Sequence, residues 1–512
     1  MCITCCILVD KMEDVHYDLC VIGGGINGAG IARDAAGRGL SVLLVEAQDI
    51  AGATSSASSK LIHGGIRYLE HREFSLVRKA LKEREILYKN AQHLIWPVEC
   101  VIPLDDQRRP KWLLKLGLWI YDRLGGKKSL PDSRVVNFTQ DPLGQPLDKK
   151  HENGFVYMDC QADDTRLVVM NAVDAAARGA KILNYTKCDH LDIHDGKWRV
   201  SLKDVNSSDS ITISASMVVN ATGPWVGQFL SAIGLDGNDP DLPSVRLVKG
   251  SHIILPRQYE GDQAYVLQQP DGRIVFVTPY EGKYTMVGTT EEDHDGDPRE
   301  ARISEAEMNY LCKAYNQSFD QKINKSDVIF TFSGVRPLLD DGKKNASKVT
   351  REHLIYHHGR YEAPLLSLFG GKLTTYRAVS EDVVDTLMGL SGRLNEGWTD
   401  REPLAGGDFG KLDFDEFCAH QEKEYPWLPE ALRYRYACAY GSHMDYFLHN
   451  KKAVEDLGDH YGDDVYQAEI DYLKNYEWVT SAEDIVWRRS KLALDISEDT
   501  IANIEASFSS AA

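Results

Sequence analysis

Short apolar runs separated by polar turns mark the first fifty residues of the chain. The run "YDLCVI", which ends at Ile22, is typical of a buried strand, and "SVLLVEA", with Glu46 near its end, is typical of a second one. Between them, "GGGINGAGIARDAAGRGL" joins a glycine-rich turn to helix-forming residues. The pattern predicts a strand, a tight turn, a helix and a parallel strand, which together begin an α/β domain.

Later segments predict further strands. Residues 180–225 predict a small meander with a hairpin turn at 195–196, followed by a buried strand that ends at 221–223. The runs "LVKGSHIILP", "GRIVFVTPY" and "KYTMVGTTEED" predict an antiparallel sheet over about residues 241–350. "LLSLFGGKLTTYRAVSEDVVDTL" predicts a strand, a glycine turn at 370–371 and a helix.

Length and composition limit the class of protein. A chain of 512 residues is too long for one hydrophobic core, so two or three domains are expected. Because no run of 18 apolar residues occurs, no transmembrane helix is predicted. The start, "MCITCCILVDKMED", lacks the basic region of a secretory signal and is expected to be a frayed extension.

Charge and cysteine content exclude two kinds of partner. The formal net charge of −19 argues against nucleic acid, and an anionic substrate would need its own local cluster of Arg and Lys. Cys2, Cys5 and Cys6 have no second Cys or His pair at ligand spacing, so no metal site is predicted. The cysteines are expected to be reduced and mostly buried, as in a cytosolic protein.

The first turn carries a dinucleotide-binding fingerprint. Gly23, Gly25 and Gly28 fit G-x-G-x-x-G, in which the glycines allow a tight turn, close approach of a pyrophosphate and close packing of helix on strand. The helix N-terminus attracts the phosphates. Glu46 follows the second strand, where a carboxylate can accept hydrogen bonds from a ribose diol.

Three segments that are far apart in the sequence are expected to contribute to the same dinucleotide site. This favours a large cofactor that lies extended across the domain. A simple NAD domain would continue with β-α-β units after Glu46, but a polar loop, "AGATSSASSKLIHGG", and a helix, "FSLVRKALKEREILYKNA", follow instead. The segments ending "VVNATGPW" and beginning "LLSLFGGK" are the other two.

The chain resembles the FAD-dependent glycerol-3-phosphate dehydrogenase family of bacterial, aerobic type, within the flavoenzymes that include the D-amino-acid and sarcosine oxidases. The resemblance rests on "VIGGGINGAGIARDAAGRGL", "ATSSASSKLIHGGIRYLEH", "VNATGPW", "RLVKGSHIILPR", "VGTTEED", "SGVRPL" and "LFGGKLTTYR", and on "EWVTSAEDIVWRRSKLAL" near the end. It extends from about residue 16 to residue 495, and "SSASSKLIHGG" followed by "RYLE" is its most specific part.

The resemblance implies non-covalent FAD and a discontinuous Rossmann-like domain. In these proteins the loop after the ribose acid follows the pyrophosphate to the flavin ring, and amides near residues 370–373 stabilise negative charge on the reduced flavin. The implied cofactor contacts are Gly23, Gly25, Asn27, Gly28, Glu46, Thr54, Ser55, Ser58, Ser59, Lys60, Leu61, His63, Cys188, Ala221, Thr222, Gly223, Gly371, Lys372, Leu373 and Thr374.

The resemblance also implies oxidation of sn-glycerol 3-phosphate to dihydroxyacetone phosphate. His252 is the favoured general base, Arg336 is its rival, and Lys372 would lower the pKa of the alcohol. The expected phosphate contacts are Arg67, Tyr68, Thr289 and Arg351. An amine or amino-acid oxidase of the same fold, a glycerol-3-phosphate oxidase that uses oxygen, or a flavin-binding protein without catalysis would be the alternatives.

The electron acceptor is expected to be a quinone. The resembling oxidases carry an extra insertion in the substrate region, and this chain shows no obvious one. Residues 108–128, "RRPKWLLKLGLWIYDRLGGKK", form a basic amphipathic segment with Trp112 and Trp119 that suits either a membrane interface or a core helix. The expected location is cytoplasmic and peripheral to the cytoplasmic membrane, and a homodimer is allowed.

The predicted domain plan divides the FAD-binding domain into three parts. It places the first part at residues 16–100, a helical insertion at 101–150, the second part at 151–240, an antiparallel β-sheet substrate domain at 241–354, the third part at 355–395, and a C-terminal helical cap at 396–512.

Overall fold

The computed structural model describes residues 15–69, 72–104, 111–126, 128–234, 241–340, 353–359, 361–393 and 395–509. Three features predicted from the sequence lie wholly or partly outside this set. They are Arg351, the cysteine trio near the N-terminus, and residues 108–110 and 127 of the amphipathic segment.

The strands of the described residues are, in chain order, β1 His16–Ile22, β2 Val42–Val45, β3 Leu61–Ile62, β4 Ile95–Pro103, β5 Arg134–Asn137, β6 Asn153–Ala162, β7 Lys181–Leu183, β8 Thr186–His194, β9 Lys197–Asp204, β10 Ser210–Asn220, β11 Val245–Pro256, β12 Ala264–Gln268, β13 Ile274–Tyr280, β14 Tyr284–Gly288, β15 Glu292–Asp293, β16 Phe330–Leu339, β17 Leu354–His357, β18 Leu365–Phe369, β19 His460–Gly462 and β20 Val465–Tyr466. The α-helices are α1 Ile26–Gly37, α2 Phe74–Asn90, α3 Lys111–Leu124, α4 Asp164–Ala177, α5 Val226–Ala232, α6 Glu305–Asn316, α7 Tyr376–Ser391, α8 Phe414–Glu424, α9 Glu430–Tyr440, α10 Asp445–Leu448, α11 Gln467–Tyr476 and α12 Glu498–Ser509.

The first sheet is parallel at its centre, in the order β17-β18-β10-β1-β2-β7. Both faces are covered, as a parallel sheet requires. Leu19 and Val21 of β1 face a core shared with α1, α4 and α7, whereas Cys20 and Ile22 face the β8–β10 meander. The predicted α/β class is confirmed.

The second sheet has the order β15-β11-β14-β13-β12-β4-β6-β3, with β16 paired to β11 and β5 paired to β6. Strands β11 to β16 are antiparallel, as predicted, and α6 packs against one face through Leu311 and Tyr315. Strands β4, β5 and β6 also join this sheet, although the domain plan assigned their residues to other units. Side-chain alternation predicts a strand but does not identify the sheet it joins, and the domain boundaries themselves stay a prediction.

The C-terminal residues form helices α8 to α12, a π-helix at Asp484–Arg489 and a separate aromatic core that includes Tyr436, Tyr440 and Phe447. The helical character predicted for this region is confirmed. Its π-helix returns to the first sheet, where the Arg489 guanidinium binds both oxygens of Asp49 at 2.8 Å.

Candidate active site

The fingerprint turn joins β1 to α1 by close backbone packing. A Cβ on Gly28 would lie 1.8 Å from the carbonyl oxygen of Gly23, and one on Gly23 would lie 2.5 Å from that of Ala221. Gly23 also has a φ of +111°, which L side chains rarely adopt. Gly25 caps α1 without a side-chain hydrogen bond, and no acidic residue lies in the first turn, so the positive end of the helix suits a phosphate.

Glu46 is held at the end of β2 with its carboxylate turned toward this glycine turn. It accepts hydrogen bonds from the backbone N–H of Gly24 at 2.6 Å and of Gln48 at 2.8 Å. Burial raises the pKa of the carboxyl, although these hydrogen bonds act in the opposite direction. The geometry keeps the acid beside the turn, where a ribose diol would reach it.

The serine-rich loop after β2 connects the two sheets. The Ser55 hydroxyl accepts from the Ile26 N–H at the start of α1 at 3.0 Å, and Thr54 donates to the carbonyl oxygen of Val335 in β16 at 2.7 Å. A Cβ on Gly334 would lie 2.9 Å from the Ala57 carbonyl oxygen. The loop therefore runs from the phosphate end of α1 across the face of the second sheet.

On that face, four residues form one row across β13, β14, β11 and β16: Phe276, Gly288, His252 and Phe332. The His252 ring stacks on Phe332 with centroids 4.8 Å apart, and a Cβ on Gly288 would lie 2.0 Å from it. At the other end of the row, His63 meets Phe276 edge to face at 6.1 Å. Gly288 is required because the imidazole occupies its side-chain space.

His252 is 1% exposed, and its Nε2 is 2.9 Å from the Ser59 hydroxyl. The buried Nδ1 has no hydrogen-bond partner among the described residues. Burial, followed by the charges of Arg336 and Lys60, lowers the pKa of His252 to about 3. The imidazole is therefore neutral near pH 7 and able to accept a proton.

Arg336 lies on β16, four residue pairs along the β11–β16 ladder from the His252–Phe332 pair. Its Nη2 donates to the Thr289 hydroxyl at 3.1 Å, and its Nη1 lies 3.7 Å from a Glu291 carboxylate oxygen. A Cβ on Gly250 would lie 2.5 Å from Nη2. Two of the predicted residues, Arg336 and Thr289, are thus in direct contact.

The third glycine-rich segment returns to the same place. Gly370 and Gly371 have φ values of +76° and +104°, and the Thr374 hydroxyl accepts from the His63 N–H at 3.2 Å. A Cβ on Gly371 would lie 3.0 Å from the side chain of Asn27 in α1, whose buried Oδ1 has no hydrogen-bond partner among the described residues. The turn after β18, the start of α1 and the serine-rich loop therefore converge.

Residues predicted for substrate lie beside this junction. The Lys372 ammonium sits 3.9 Å from the centroid of the Tyr68 ring. Arg67 is half-buried in the short turn Ile66–Leu69, and no hydrogen bond or ion pair joins its guanidinium to the described part of the chain. The structure thus puts Arg67 near Tyr68 but gives no test of Arg351.

The side chains of some residues predicted to contact the cofactor bind or pack against other parts of the protein instead. The Lys60 ammonium binds both oxygens of buried Asp164 at 2.9 Å, so a cofactor contact would come from its backbone. The Cys188 thiol packs in the core behind the first sheet. Thr222 donates to the Asn220 carboxamide at 2.7 Å beside Gly223, whose φ is +58°.

A profile of the FAD dependent oxidoreductase family (DAO) matches residues 18–377, which include all three converging segments. The chain belongs to this family.

Relatives of known name extend over nearly the whole chain. It is 45% identical over 484 residues to the aerobic glycerol-3-phosphate dehydrogenase of Escherichia coli, covering 94% of this chain and 95% of the relative. It is 44% identical over 486 residues to the D-erythritol 1-phosphate dehydrogenase of Brucella abortus, covering 95% and 96%. The structure of the glycerol-3-phosphate dehydrogenase from Bacillus halodurans complexed with FAD matches with a TM-score of 0.77 at 28% identity, covering 99% and 93%. The predicted resemblance is confirmed.

FAD is the cofactor of this FAD dependent oxidoreductase, and the residues fit it. The open end of α1, the glycine turn that excludes any Cβ and the unpartnered Asn27 oxygen are the features that a dinucleotide requires. No group of His, Cys, Asp and Glu in the described ranges is arranged to hold a metal ion.

Several residues near the oxidoreductase site carry no sequence motif and were missed. Asp164 binds Lys60 and Ser58, and Tyr121 accepts from the Gly64 N–H at 2.8 Å while donating to Asp159. In the sequence, Asp164 looks like any acidic residue in the first turn of a helix. Only the fold shows that it holds the loop.

Proposed function

We propose that the protein is a FAD-dependent glycerol-3-phosphate dehydrogenase that oxidises sn-glycerol 3-phosphate to dihydroxyacetone phosphate and passes the electrons to a quinone. The observation that carries the proposal is a neutral buried imidazole, His252, on the sheet face that the serine-rich loop crosses, with Arg336 four residue pairs along the same ladder and close enough for its charge to lower the pKa of the imidazole. The names of the relatives supply the substrate. When bound, FAD supplies the hydride acceptor for this oxidation.

In the proposed reaction, His252 takes the proton from the secondary hydroxyl of the substrate. Its Nδ1 has no partner among the described residues, and Ser59 fixes the ring through Nε2. Arg336 lies close enough to lower the pKa of the imidazole, and its charge would also stabilise a developing alkoxide. With a pKa of about 3, His252 is a weak base. The proposal therefore includes Arg336, whose charge would stabilise the alkoxide as the proton leaves.

The phosphate would be bound by Arg67, Tyr68 and Thr289, with Arg351 outside the described residues. A phosphate dianion removed from water needs charge-assisted donors, each contributing about 1.5–3 kcal/mol. Local positive charge is required because the formal net charge of −19 repels an anion at long range. Lys372, over the Tyr68 ring, adds to this charge.

The test is anaerobic mixing of the yellow protein with each of two phosphate esters. Glycerol 3-phosphate is expected to bleach the flavin with a higher kcat/KM than D-erythritol 1-phosphate. Erythritol 1-phosphate is the second candidate because a relative at 44% identity carries that name. A reversed order of kcat/KM would reassign the substrate, and bleaching by amino acids alone would contradict both.

The exposed face of helix α3 supports the proposal that the protein binds a membrane and passes its electrons to a quinone there. Trp112 is 67% exposed and Trp119 is 53% exposed, and Leu113 and Leu116 lie exposed beside them. Lys111 and Lys115 flank this face. An exposed apolar face edged with lysines suits the interface of an anionic membrane, where quinones dissolve.

We propose a peripheral position on the cytoplasmic side of the membrane. No helix in the described ranges is both long and apolar enough to cross a bilayer. The homodimer and the absence of a nucleic-acid partner stay predictions.

A further inference from the structure

Three buried charges join the C-terminal helices to the serine-rich loop. The Asp164 carboxylate is 0% exposed and receives the ammonium groups of Lys60 at 2.9 Å and of Lys491 at 3.0 Å. Lys491 lies just after the C-terminal π-helix and also binds Asp163 at 2.7 Å. These contacts connect residues 327 positions apart in sequence.

The lysine charges decide the state of the carboxylate. Burial alone would raise the pKa of Asp164, but Lys491 and Lys60 outweigh it and hold the pKa well below its usual range. Burial lowers the pKa of Lys491, yet Asp163 and Asp164 raise it well above normal. Asp164 is therefore an ionised carboxylate between the two lysines. Removal of either lysine would leave the buried negative charge of Asp164 less well compensated.

Asp164 in turn fixes the backbone of the loop. Its Oδ2 accepts from the Ser58 hydroxyl at 2.7 Å and from the Ser58 N–H at 3.3 Å. The same hydroxyl accepts from the Lys60 N–H at 2.9 Å. Because Lys60 has a φ of +54°, the loop holds a conformation that its sequence alone would not favour.

The residue between these two anchors is Ser59, whose hydroxyl lies 2.9 Å from Nε2 of His252. Phe332 stacks on the imidazole and also lies 5.2 Å from the Lys60 ammonium. The route from the C-terminal region to His252 therefore passes through Lys491, Asp164 and the loop residues that flank Ser59.

We infer that Lys491 is a positioning residue, which holds Ser59 against His252 through Asp164 and the Ser58–Lys60 segment. The inference rests on the proposed role of His252. It assigns to the C-terminal helices a part in orienting the base. A displacement of about 1 Å at a reacting group can cost on the order of 10²-fold in rate.

The test compares Lys491→Met with Arg488→Met as holoenzymes. Arg488 lies in the same segment and binds Asp49 at 2.6 Å, so its loss removes a comparable ion pair at the start of the loop, ten residues before Ser59 and not at Asp164. In K491M, flavin reduction at saturating glycerol 3-phosphate should slow by ~10–100-fold with KM changed less than about threefold. R488M should stay within about threefold of the wild type. Equal slowing in both variants, or none in K491M, would overturn the inference.

A second readout does not depend on activity. Hydrogen exchange of the peptide that contains Ser58 and Lys60 should become faster in K491M and stay unchanged in R488M. If neither phosphate ester reduces the flavin of the wild type, the proposed function is wrong. The hydrogen-exchange comparison would still test whether Lys491 holds the Ser58–Lys60 segment in place. Unchanged exchange in K491M contradicts it.

Ser58→Ala provides a variant with every charge kept, in case K491M fails to bind FAD. It removes the hydroxyl that joins Asp164 to the Lys60 N–H. It should slow flavin reduction about tenfold and speed exchange at Lys60. Wild-type rate and exchange in S58A would show that Asp164 does not act on His252 through this loop.

Discussion

The surroundings of individual side chains set what each can contribute at the proposed site. His252 combines a hydrogen-bonded Nε2 with a buried Nδ1 that has no partner among the described residues. Arg336 combines a contact to Thr289 with proximity to Glu291. The first arrangement suits proton transfer. The guanidinium charge of Arg336 suits stabilisation of negative charge, and Glu291 offsets part of that charge.

His252→Ala should lower the rate of flavin reduction by ~10²–10⁴-fold, the usual contribution of a general base, while glycerol 3-phosphate still binds. Stopped-flow spectra taken under nitrogen would measure it. Arg336→Ala is the paired variant, since Arg336 is the rival base. A nearly normal rate in H252A with complete loss in R336A would move the assignment to Arg336.

Arg67→Ala should raise KM for glycerol 3-phosphate by ~10–100-fold, because one charge-assisted contact of about 1.5–3 kcal/mol is lost. Arg78, exposed on α2, is the matched control, and R78A should leave KM unchanged. Plain glycerol has no phosphate and should be equally poor for R67A and the wild type. An equal loss of activity toward both substrates would exclude a phosphate role for Arg67.

Helix α3 has two faces that differ in what they contact. Its inner face contributes the Tyr121 hydroxyl, which bridges the Gly64 N–H and buried Asp159. Its outer face exposes Trp112 and Trp119. The sequence left a core helix and a helix at a membrane interface as alternatives, and both tryptophans are exposed as the second alternative requires.

The double variant Trp112→Glu with Trp119→Glu should abolish binding to vesicles of anionic phospholipid, because charge replaces the apolar face. Cosedimentation measures it. Val205→Glu is the control, because it places a charge at an exposed apolar residue outside α3. This variant should bind the vesicles as the wild type does. Loss of FAD or of thermal stability in the double variant would instead indicate that the tryptophans pack against protein.

Local signals allowed much of the fold to be predicted. The glycine turn, the flanking apolar runs and the hairpin at Asp195 and Gly196, both with positive φ, are short-range patterns. Membership of β4 to β6 in the second sheet depends on long-range pairing and has no such signal. The same limit hid Asp164 and Lys491, whose contact exists only after the chain has folded.

At the scale of the whole molecule, buried histidines affect stability in acid. Burial, followed by the charges of Arg166 and His443, lowers the pKa of His93 to about 3. Below pH 6.5 the unfolded state binds a proton that the native state refuses until about pH 3. Stability therefore falls as the pH drops through this window, by up to about 1.4 kcal/mol per pH unit for each such group.

His93→Gln should flatten the pH dependence of stability, since one of these groups is removed. Urea midpoints measured from pH 7 to pH 4 would show a shallower decline in the variant than in the wild type. An identical decline in both proteins would mean that folding does not lower the pKa of His93.

The order in which the strands are added has a consequence for synthesis on the ribosome. Strand β18 lies beside β10 in the first sheet, and Arg489 neutralises Asp49 beside β2, yet both come from late parts of the chain. A nascent chain that ends before residue 365 lacks one neighbour of β10, and one that ends before residue 489 leaves Asp49 without this cation. The cofactor domain therefore completes its contacts only after nearly all of the chain has been translated, and until residues 365–369 are available the unpaired edge of β10 is a site for aggregation or for a chaperone.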